Sequence, residues 1–234
     1  MTFIIAIQLN DSIVITSDNR SVSLTETKEI EFDADDMQKM YAWDQGIITG
    51  TGESYVISRT VEFFIKLTRS NLDQLSSCLD VSKRLRHLEI GWIHEQVKNS
   101  KLLCSSYSKN GAQLYAIQRF DDDQEHIMTE LKPMQIVVWL FHPNVDTIAE
   151  DLQNLHRDLK DYSYFENKLD WINYYLWRIS PIYQKQSLQD PLMSQSFDFF
   201  FQKNNEYVYG HIPNTQTTAI EFKEISLCNN PYLT

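Results

Sequence analysis

The sequence predicts an α+β fold, in the form of a four-layer αββα sandwich with helices outside two stacked sheets. One reason is the order of the predicted elements: four strands, two helices, four strands, two helices and a closing hairpin. A second reason is that the first strand is apolar on both faces, so its sheet needs a covering layer on each side. No Gly/Ser-rich linker divides the 234 residues, and we expect a single domain over residues 1–234.

The first half of the chain supplies four predicted strands and two predicted helices. Residues 3–9 and 12–18 are extended runs on either side of the turn pair Asn10-Asp11, which predicts a hairpin. The polar, acidic stretch 21–36 predicts an irregular segment. Alternating and helical apolar spacings then predict the remaining elements, which are strands over 37–43 and 46–51 and helices over 53–69 and 72–97.

The second half repeats this order. Asn110-Gly111 is the strongest short hairpin signal in the chain, and it separates the strands predicted over 102–108 and 112–119. The later predicted elements are strands over 126–131 and 135–141, a helix over 145–159, a helix that starts at 169 and ends near Pro181, and a hairpin over 197–203 and 207–212. The stretches 120–125 and 181–196 are predicted to be irregular.

Composition excludes several classes of partner. The formal charge is -11, from 32 acidic and 21 basic residues, so nucleic-acid phosphates and anionic membrane surfaces are expected to repel the protein. The longest apolar run, 136–141, is far shorter than the about 20 residues of a membrane-spanning helix. We therefore expect a cytoplasmic protein with no nucleic acid and no membrane as partner.

The three cysteines, Cys78, Cys104 and Cys228, include no CxxC pair and fit a reducing compartment.

The candidate catalytic residues begin at Thr2. Removal of Met1 would leave Thr2 with a hydroxyl and a free α-amine, which joins a nucleophile and a base in one residue. An α-amine has a pKa of about 7.7–8.0, and a nearby cation that lowers this pKa keeps the amine neutral near pH 7. Asp18 ends the strand that returns beside Thr2, and Lys39 lies on the next predicted strand and needs a carboxylate partner there. Gly50 precedes a predicted helix and is placed to offer its backbone N–H to an oxyanion.

These residues lie in segments that resemble the proteasome-type N-terminal-nucleophile (Ntn) hydrolases, which include proteasome β subunits and the simpler bacterial threonine-peptidase ring. The resemblance rests on residues 1–7, 13–20, 38–41, 47–53 and 109–117. It implies that Thr2 is nucleophile and amine base, that Asp18 and Lys39 tune it, and that Gly50 is the oxyanion donor. It further implies a peptide or protein substrate, a homo-oligomeric ring and an ATP-dependent unfoldase as a possible partner.

The predicted substrate-binding residues surround Lys39 and Gly50. Residues two apart share a face of a strand, so the neighbours at that spacing flank these two residues. They are Met37, Tyr41, Ile48 and Gly52. The resemblance implies that they line the pocket for the side chain before the scissile bond, with Arg20 as the only nearby charge. We expect a graded preference for large apolar or aromatic side chains over acidic ones in this pocket.

The sequence predicts no metal site and no cofactor. Its six histidines contain neither HxxxH nor HExxH, and His87 and His94 are expected to contact solvent or the core from one predicted helix. The acidic runs 33–36 and 121–123 lack the turn glycine and the closing glutamate of a calcium loop.

Two functions remain open at this stage. The first is an N-terminal-threonine amide hydrolase, in particular a peptidase that forms an ester on Thr2, and the joint presence of the four catalytic candidates favours it. The alternative is a non-catalytic, proteasome-like scaffold or assembly subunit. The absence of the Gly-Ser-Gly of the family around 141–144, and of its Arg-Asp-x-x-Ser-Gly after the fourth helix, favours the scaffold. Tyr174, Tyr175 and Trp177 are expected at contacts between subunits.

Overall fold

Two antiparallel sheets and five helices make up the described part of the chain, and the predicted α+β class is confirmed. The structure is a computed structural model that describes residues 2–24, 30–91, 94–121, 124–140, 144–215 and 220–223. Its helices are α1 (Ser54–Lys66), α2 (Leu75–Ile90), α3 (Glu95–Lys98), α4 (Ala149–Arg157) and α5 (Lys168–Gln189). Although α5 has 22 residues, no helix in these ranges is long and apolar enough to cross a membrane.

The strands of the described ranges are numbered in chain order. They are β1 (Ile4–Gln8), β2 (Ser12–Asp18), β3 (Ser21–Leu24), β4 (Ile30–Ala34), β5 (Met40–Trp43), β6 (Gly46–Thr51), β7 (Lys101–Ser108), β8 (Gly111–Gln118), β9 (Ile127–Glu130), β10 (Gln135–Trp139), β11 (Phe197–Lys203), β12 (Glu206–Ile212) and β13 (Glu221–Phe222). The first sheet has the order β10-β1-β2-β11-β12-β13 and the second has the order β5-β6-β7-β8-β9. Strands β3 and β4 form a separate hairpin.

The predicted hairpins around Asn10-Asp11 and Asn110-Gly111 are confirmed as β1–β2 and β7–β8. In the first hairpin Ile4 is opposite Ser17, so the start of β1 lies beside the end of β2. This return of the chain brings Asp18 next to the residues that precede β1, as the sequence predicts.

Apolar side chains fill three regions of the interior. One region lies between the two sheets, a second lies between the first sheet and α5, and a third lies between the second sheet and the pair α1 and α2. Representative members are Ile4, Ile15 and Leu114 between the sheets, Phe199, Tyr175 and Ile179 on the α5 side, and Phe64, Leu79 and Leu102 on the α1 and α2 side.

The side chain of Gln8 connects the two sheets through the interior. Its Nε2 donates to the carbonyl oxygens of Leu9 at 2.8 Å and Ala112 at 3.0 Å, and its Oε1 accepts the N–H of Leu114 at 2.7 Å. Because the amide is buried, these bonds replace the water it would otherwise bind. They fix β1 of the first sheet against β8 of the second.

The segment before β5 differs from its prediction. The strand predicted over 37–43 begins only at Met40, so Met37 and Lys39 precede it. The Met37 N–H donates to the Asn19 carbonyl at 3.0 Å and the Lys39 ammonium contacts Asp18, so this segment follows the end of β2 instead of pairing with β6.

The stretch 21–36 is also not irregular as predicted, because it contains β3 and β4. Its apolar and acidic residues alternate from Ile30 to Asp33, which is a strand pattern that the high charge obscured. Residues 25–29 lie outside the described ranges.

The helix predicted to end near Pro181 continues to Gln189, and the prediction of an irregular 181–196 is wrong for its first half. An interior proline removes one backbone hydrogen bond and costs about 3 kcal/mol. The turn beyond Pro181 offsets this cost by burying Ile182 and Tyr183 against the first sheet. The helix predicted over 72–97 is instead two helices, because Gly91, at φ 87°, ends α2.

Candidate active site

The carboxylate of Asp18 is the centre of the candidate site. Its Oδ1 accepts the Phe3 N–H at 2.8 Å and the Lys39 ammonium at 2.9 Å, and its Oδ2 accepts the Arg20 N–H at 3.1 Å. Asp18 has 0% of its surface exposed, so these three donors take the place of water around the charge. The carboxylate therefore joins the amino-terminal residues of β1 to the segment that carries Lys39.

Lys39 is a buried cation with 7% of its surface exposed. Burial lowers the pKa of its ammonium, and the attraction of Asp18 opposes this effect. The Lys39 carbonyl accepts the hydroxyl of Thr49 at 2.9 Å, which holds its backbone against β6. The predicted pairing of Asp18 with Lys39 is present as a buried ion pair.

Thr2 is 8% exposed and lies on the wall of a small cavity of about 50 Å³. Lys39 and Gly50 line the same cavity, so three of the four catalytic candidates meet there and the fourth, Asp18, contacts Lys39 from behind. Four of the predicted substrate-binding residues also line it, namely Arg20, Met37, Tyr41 and Gly52. The walls are completed by Ser21, Val22, Ser54, Ile57 and Gln96.

Ile48 is the predicted pocket residue that does not line this cavity. Its side chain is fully buried among the apolar residues between the second sheet and helices α1 and α2. Ile48 and Gly50 share a face of β6, as predicted, but that face packs on the helices. Gly50 reaches the cavity only because its backbone has no side chain on that face.

Gly50 has a packing role that the sequence did not indicate. A Cβ at this position would lie 2.6 Å from the Lys101 carbonyl oxygen and 2.7 Å from both Ile57 Cδ1 and Leu102 Cδ2. The missing side chain would therefore point toward β7 and α1, where there is no space for it.

The charge of Arg20 is neutralised within the protein. Its guanidinium forms two bonds of 2.7 Å with the carboxylate of Asp35, and its Nη1 donates to the Pro191 carbonyl at 2.6 Å. The bond to Asp35 raises the pKa of Arg20. Arg20 thus joins the two ends of the β3–β4 hairpin and contributes little net charge to the cavity.

Tyr183 is a site neighbour that sequence reasoning missed. Its hydroxyl lies 3.1 Å from both the Phe3 carbonyl oxygen and Thr16 Oγ1, and its ring packs on Phe3 and stacks on Phe197 with centroids 4.3 Å apart. Burial holds the pKa of this phenol well above its ordinary value. No local pattern signals this role, because Phe3 and Tyr183 are 180 residues apart.

The polar segment after α5 also approaches the site. Ser194 Oγ accepts the Asn19 N–H at 3.0 Å and donates to the Ser196 carbonyl at 2.7 Å. This position follows from the continuation of α5 beyond Pro181, which carries the segment to the end of β2. In the sequence, this segment is marked only by a run of polar residues between a predicted helix and a predicted strand.

Of the stretch 141–144, where a glycine-rich motif is missing, residues 141–143 lie outside the described ranges.

Within the described ranges, no group of three or more His, Cys, Asp or Glu side chains is placed to hold a metal ion. Cys78 and Cys104 are free and buried, and burial raises the pKa of both thiols. His94 precedes α3 and does not share a helix with His87, contrary to the prediction. Cys228 and residues 122–123 lie outside the described ranges.

Comparisons with known proteins match this chain to no family model and to no curated protein.

Proposed function

We propose that the protein is an N-terminal-threonine amide hydrolase, in particular a peptidase, that acts through an ester on Thr2. The observation that supports this proposal is the buried Asp18–Lys39 pair, whose lysine opens onto the same cavity as Thr2. A buried lysine beside a buried carboxylate is costly to maintain, and such groups concentrate at functional sites.

In the proposed mechanism, removal of Met1 frees the α-amine of Thr2. The positive charge of Lys39 disfavours protonation of this amine and lowers its pKa, so the amine is able to accept the proton of the Thr2 hydroxyl. Thr2 Oγ then attacks the substrate carbonyl carbon, the C–N bond breaks, and the amine passes the proton to the leaving nitrogen. Water next attacks the ester, the acid product leaves, and Oγ regains a proton from that water.

The backbone of Gly50 has the complementary role. During the attack the substrate carbonyl oxygen becomes negatively charged, and the N–H of Gly50, which lines the cavity, is the donor assigned to stabilise that charge. Asp18 does not contact the substrate in this scheme. Its attraction opposes the lowering of the Lys39 pKa by burial, and it accepts the Phe3 N–H, which positions Thr2.

The finer fold assignment is part of the same proposal. The three apolar regions, one between the sheets and one under each helical layer, support a four-layer αββα sandwich of the proteasome-type Ntn class. We include in the proposal a cytoplasmic homo-oligomeric ring that hydrolyses peptide or protein substrates, with an ATP-dependent unfoldase as a possible partner.

The decisive experiment combines intact mass and acylation. The purified chain should lack Met1 by mass spectrometry, and a hydroxyl-acylating β-lactone should add one acyl group to wild type and none to Thr2→Ala. Thr129→Ala removes an exposed threonine hydroxyl and serves as the matched control, which should be acylated like wild type. Retention of Met1, or acylation of Thr2→Ala, would exclude the mechanism.

A second candidate is a non-catalytic scaffold or assembly subunit of the same fold. The exposed indole of Trp177, with 77% of its surface accessible on α5, favours an assembly role. An assembled protein that keeps Met1 would support the scaffold, whereas an assembled and acylated protein would support the hydrolase.

A further inference from the structure

A second and larger cavity, of about 580 Å³, adjoins the cavity at Thr2. The two cavities share Gly52 and Gln96 as walls. Lys101 on the wall of the larger cavity is paired with Thr51, the residue between Gly50 and Gly52. The larger cavity therefore borders the cavity at Thr2 along β6 and β7.

Lys101 lines this larger cavity, and its positive charge lies beside the wall. Its ammonium lies 4.5 Å from the centroid of the Trp139 ring, and no carboxylate within the described ranges pairs with it. Trp139 itself is opposite Ile4 in β1, so the contact lies at the Thr2 end of the first sheet. Burial lowers the pKa of Lys101, and no neighbouring anion opposes that effect. An aromatic face stabilises an ammonium less than a carboxylate does, so the site has unmet affinity for an anion.

The other charged residues of the cavity limit the charge of that anion. Its described walls carry Lys98, Lys101 and Arg119 as cations and Glu95 and Asp121 as anions. Glu95 and Asp121 disfavour a ligand with more than one negative charge. A dianionic phosphate would be repelled by the two acidic residues more strongly than a carboxylate would.

We propose that this cavity binds the α-carboxylate of the residue on the leaving side of the scissile amide, and that Lys101 recognises it. The substrates would then be N-acyl amino acids and short peptides that lose one carboxy-terminal residue. This inference rests on the proposed function, and it takes the cavity at Thr2 for the acyl side because the residues expected before the scissile bond, Arg20, Met37, Tyr41 and Gly52, line that cavity. The larger cavity adjoins it at Gly52 and Gln96 and is assigned to the amine side.

Binding to the inactive Thr2→Ala protein tests this inference without hydrolysis. The probe is a fluorescent acyl-Ala-Ala with a free carboxylate, compared with the same probe as its carboxy-terminal amide. We expect the acid to bind at least tenfold more tightly. Lys101→Met in the same background should abolish the difference, and Lys101→Arg should keep most of it. Lys109→Met removes an exposed lysine at the far end of β7 and should behave like the parent protein.

A third probe, acyl-Ala-Glu amide, separates the two sources of a carboxylate. Weak binding of this probe supports the α-carboxylate, and binding equal to that of the acid overturns this assignment. Equal affinity for acid and amide in the parent protein, or an unchanged preference in a folded Lys101→Met, would overturn the proposal. If the preference is present but wild type lacks acylation at Thr2, the hydrolase proposal fails and the carboxylate site stands.

Discussion

Lys39 donates to Oδ1 of Asp18 at 2.9 Å, and this same oxygen accepts the N–H that follows Thr2 at 2.8 Å. One carboxylate oxygen therefore links the segment of the candidate nucleophile, just before β1, to the cation that precedes β5. Any change in the charge of either partner acts on both folding and the candidate site.

The first prediction concerns Lys39→Met, which keeps most of the volume of the side chain but removes its charge. Asp18 would remain as a buried carboxylate without a cation, and breaking such a pair costs about 3–5 kcal/mol. Urea unfolding should show this loss in the free energy of unfolding. Lys66→Met, at an exposed i,i+4 pair with Glu62, is the control and should change it by less than about 0.5 kcal/mol. A double variant Asp18→Asn/Lys39→Met that loses as much as the sum of the two singles would contradict the pairing.

A second prediction concerns Gly50→Ala. The added methyl group would lie 2.6 Å from the Lys101 carbonyl oxygen and 2.7 Å from Ile57 Cδ1, which is closer than van der Waals contact allows. Strand β6 must therefore move away from β7 or α1. Overpacking of this kind costs about 1–3 kcal/mol. The urea concentration at the midpoint of unfolding should fall, because the free energy of unfolding is lower. Acylation of Thr2 by the β-lactone should also slow, because the backbone of Gly50 moves. An unchanged midpoint would show that the strand accommodates the methyl group.

Local chemistry explains why part of this architecture could be predicted from sequence. The hairpins at Asn10-Asp11 and Asn110-Gly111 depend on turn residues and on alternation over a few positions, and both are present. The Asp18–Lys39 pair could also be predicted, because an antiparallel return of the chain and one buried lysine are enough to indicate it.

The remaining features depend on packing between distant segments. Ile48 would line the pocket only if its face of β6 were turned away from the helices. The alternation of side chains along a strand does not determine which face meets the helices. The continuation of α5 through Pro181 depends on how well Tyr183 fits against Phe3 and Phe197. The contact of Tyr183 with Phe3 joins residues 180 positions apart, and no short motif predicts it.

A third prediction concerns pH and the stability of Lys101→Met. Burial lowers the pKa of Lys101 in the folded state below the about 10.4 of an unfolded lysine, so between the two values the folded state binds fewer protons. Below this pH range the Lys101 ammonium is charged in both states, so folding of the wild type must dehydrate it and loses stability by the full amount of that dehydration. Lys101→Met should then melt at the higher temperature, and its advantage should shrink as the pH rises through this range. Paired thermal melts measure this difference, and a pH-independent difference would argue against a dehydrated cation.

A fourth prediction concerns assembly. Tyr175 is in the core and Tyr174 is partly buried, so of the three aromatic residues expected at subunit contacts only Trp177 is exposed. We expect a homo-oligomer in light scattering at micromolar concentration, and Trp177→Ala should shift it toward the monomer. Tyr164→Ala removes an equally exposed ring outside α5 and should leave the mass unchanged. A wild-type monomer would exclude the ring.

The buried amide of Gln8 has a consequence for the precision of the whole site. Apolar adhesion between two sheets is non-directional and permits them to slide, whereas its hydrogen bonds to Ala112 and Leu114 fix their relative offset. Thr2 directly precedes β1 of the first sheet and Gly50 lies in β6 of the second, so the offset between the sheets also sets how closely the two groups are aligned. A Gln8→Leu protein should stay folded but populate several offsets, seen as doubled or broadened amide NMR signals from β1 and β8. Sharp, single signals would show that side-chain packing alone determines the alignment.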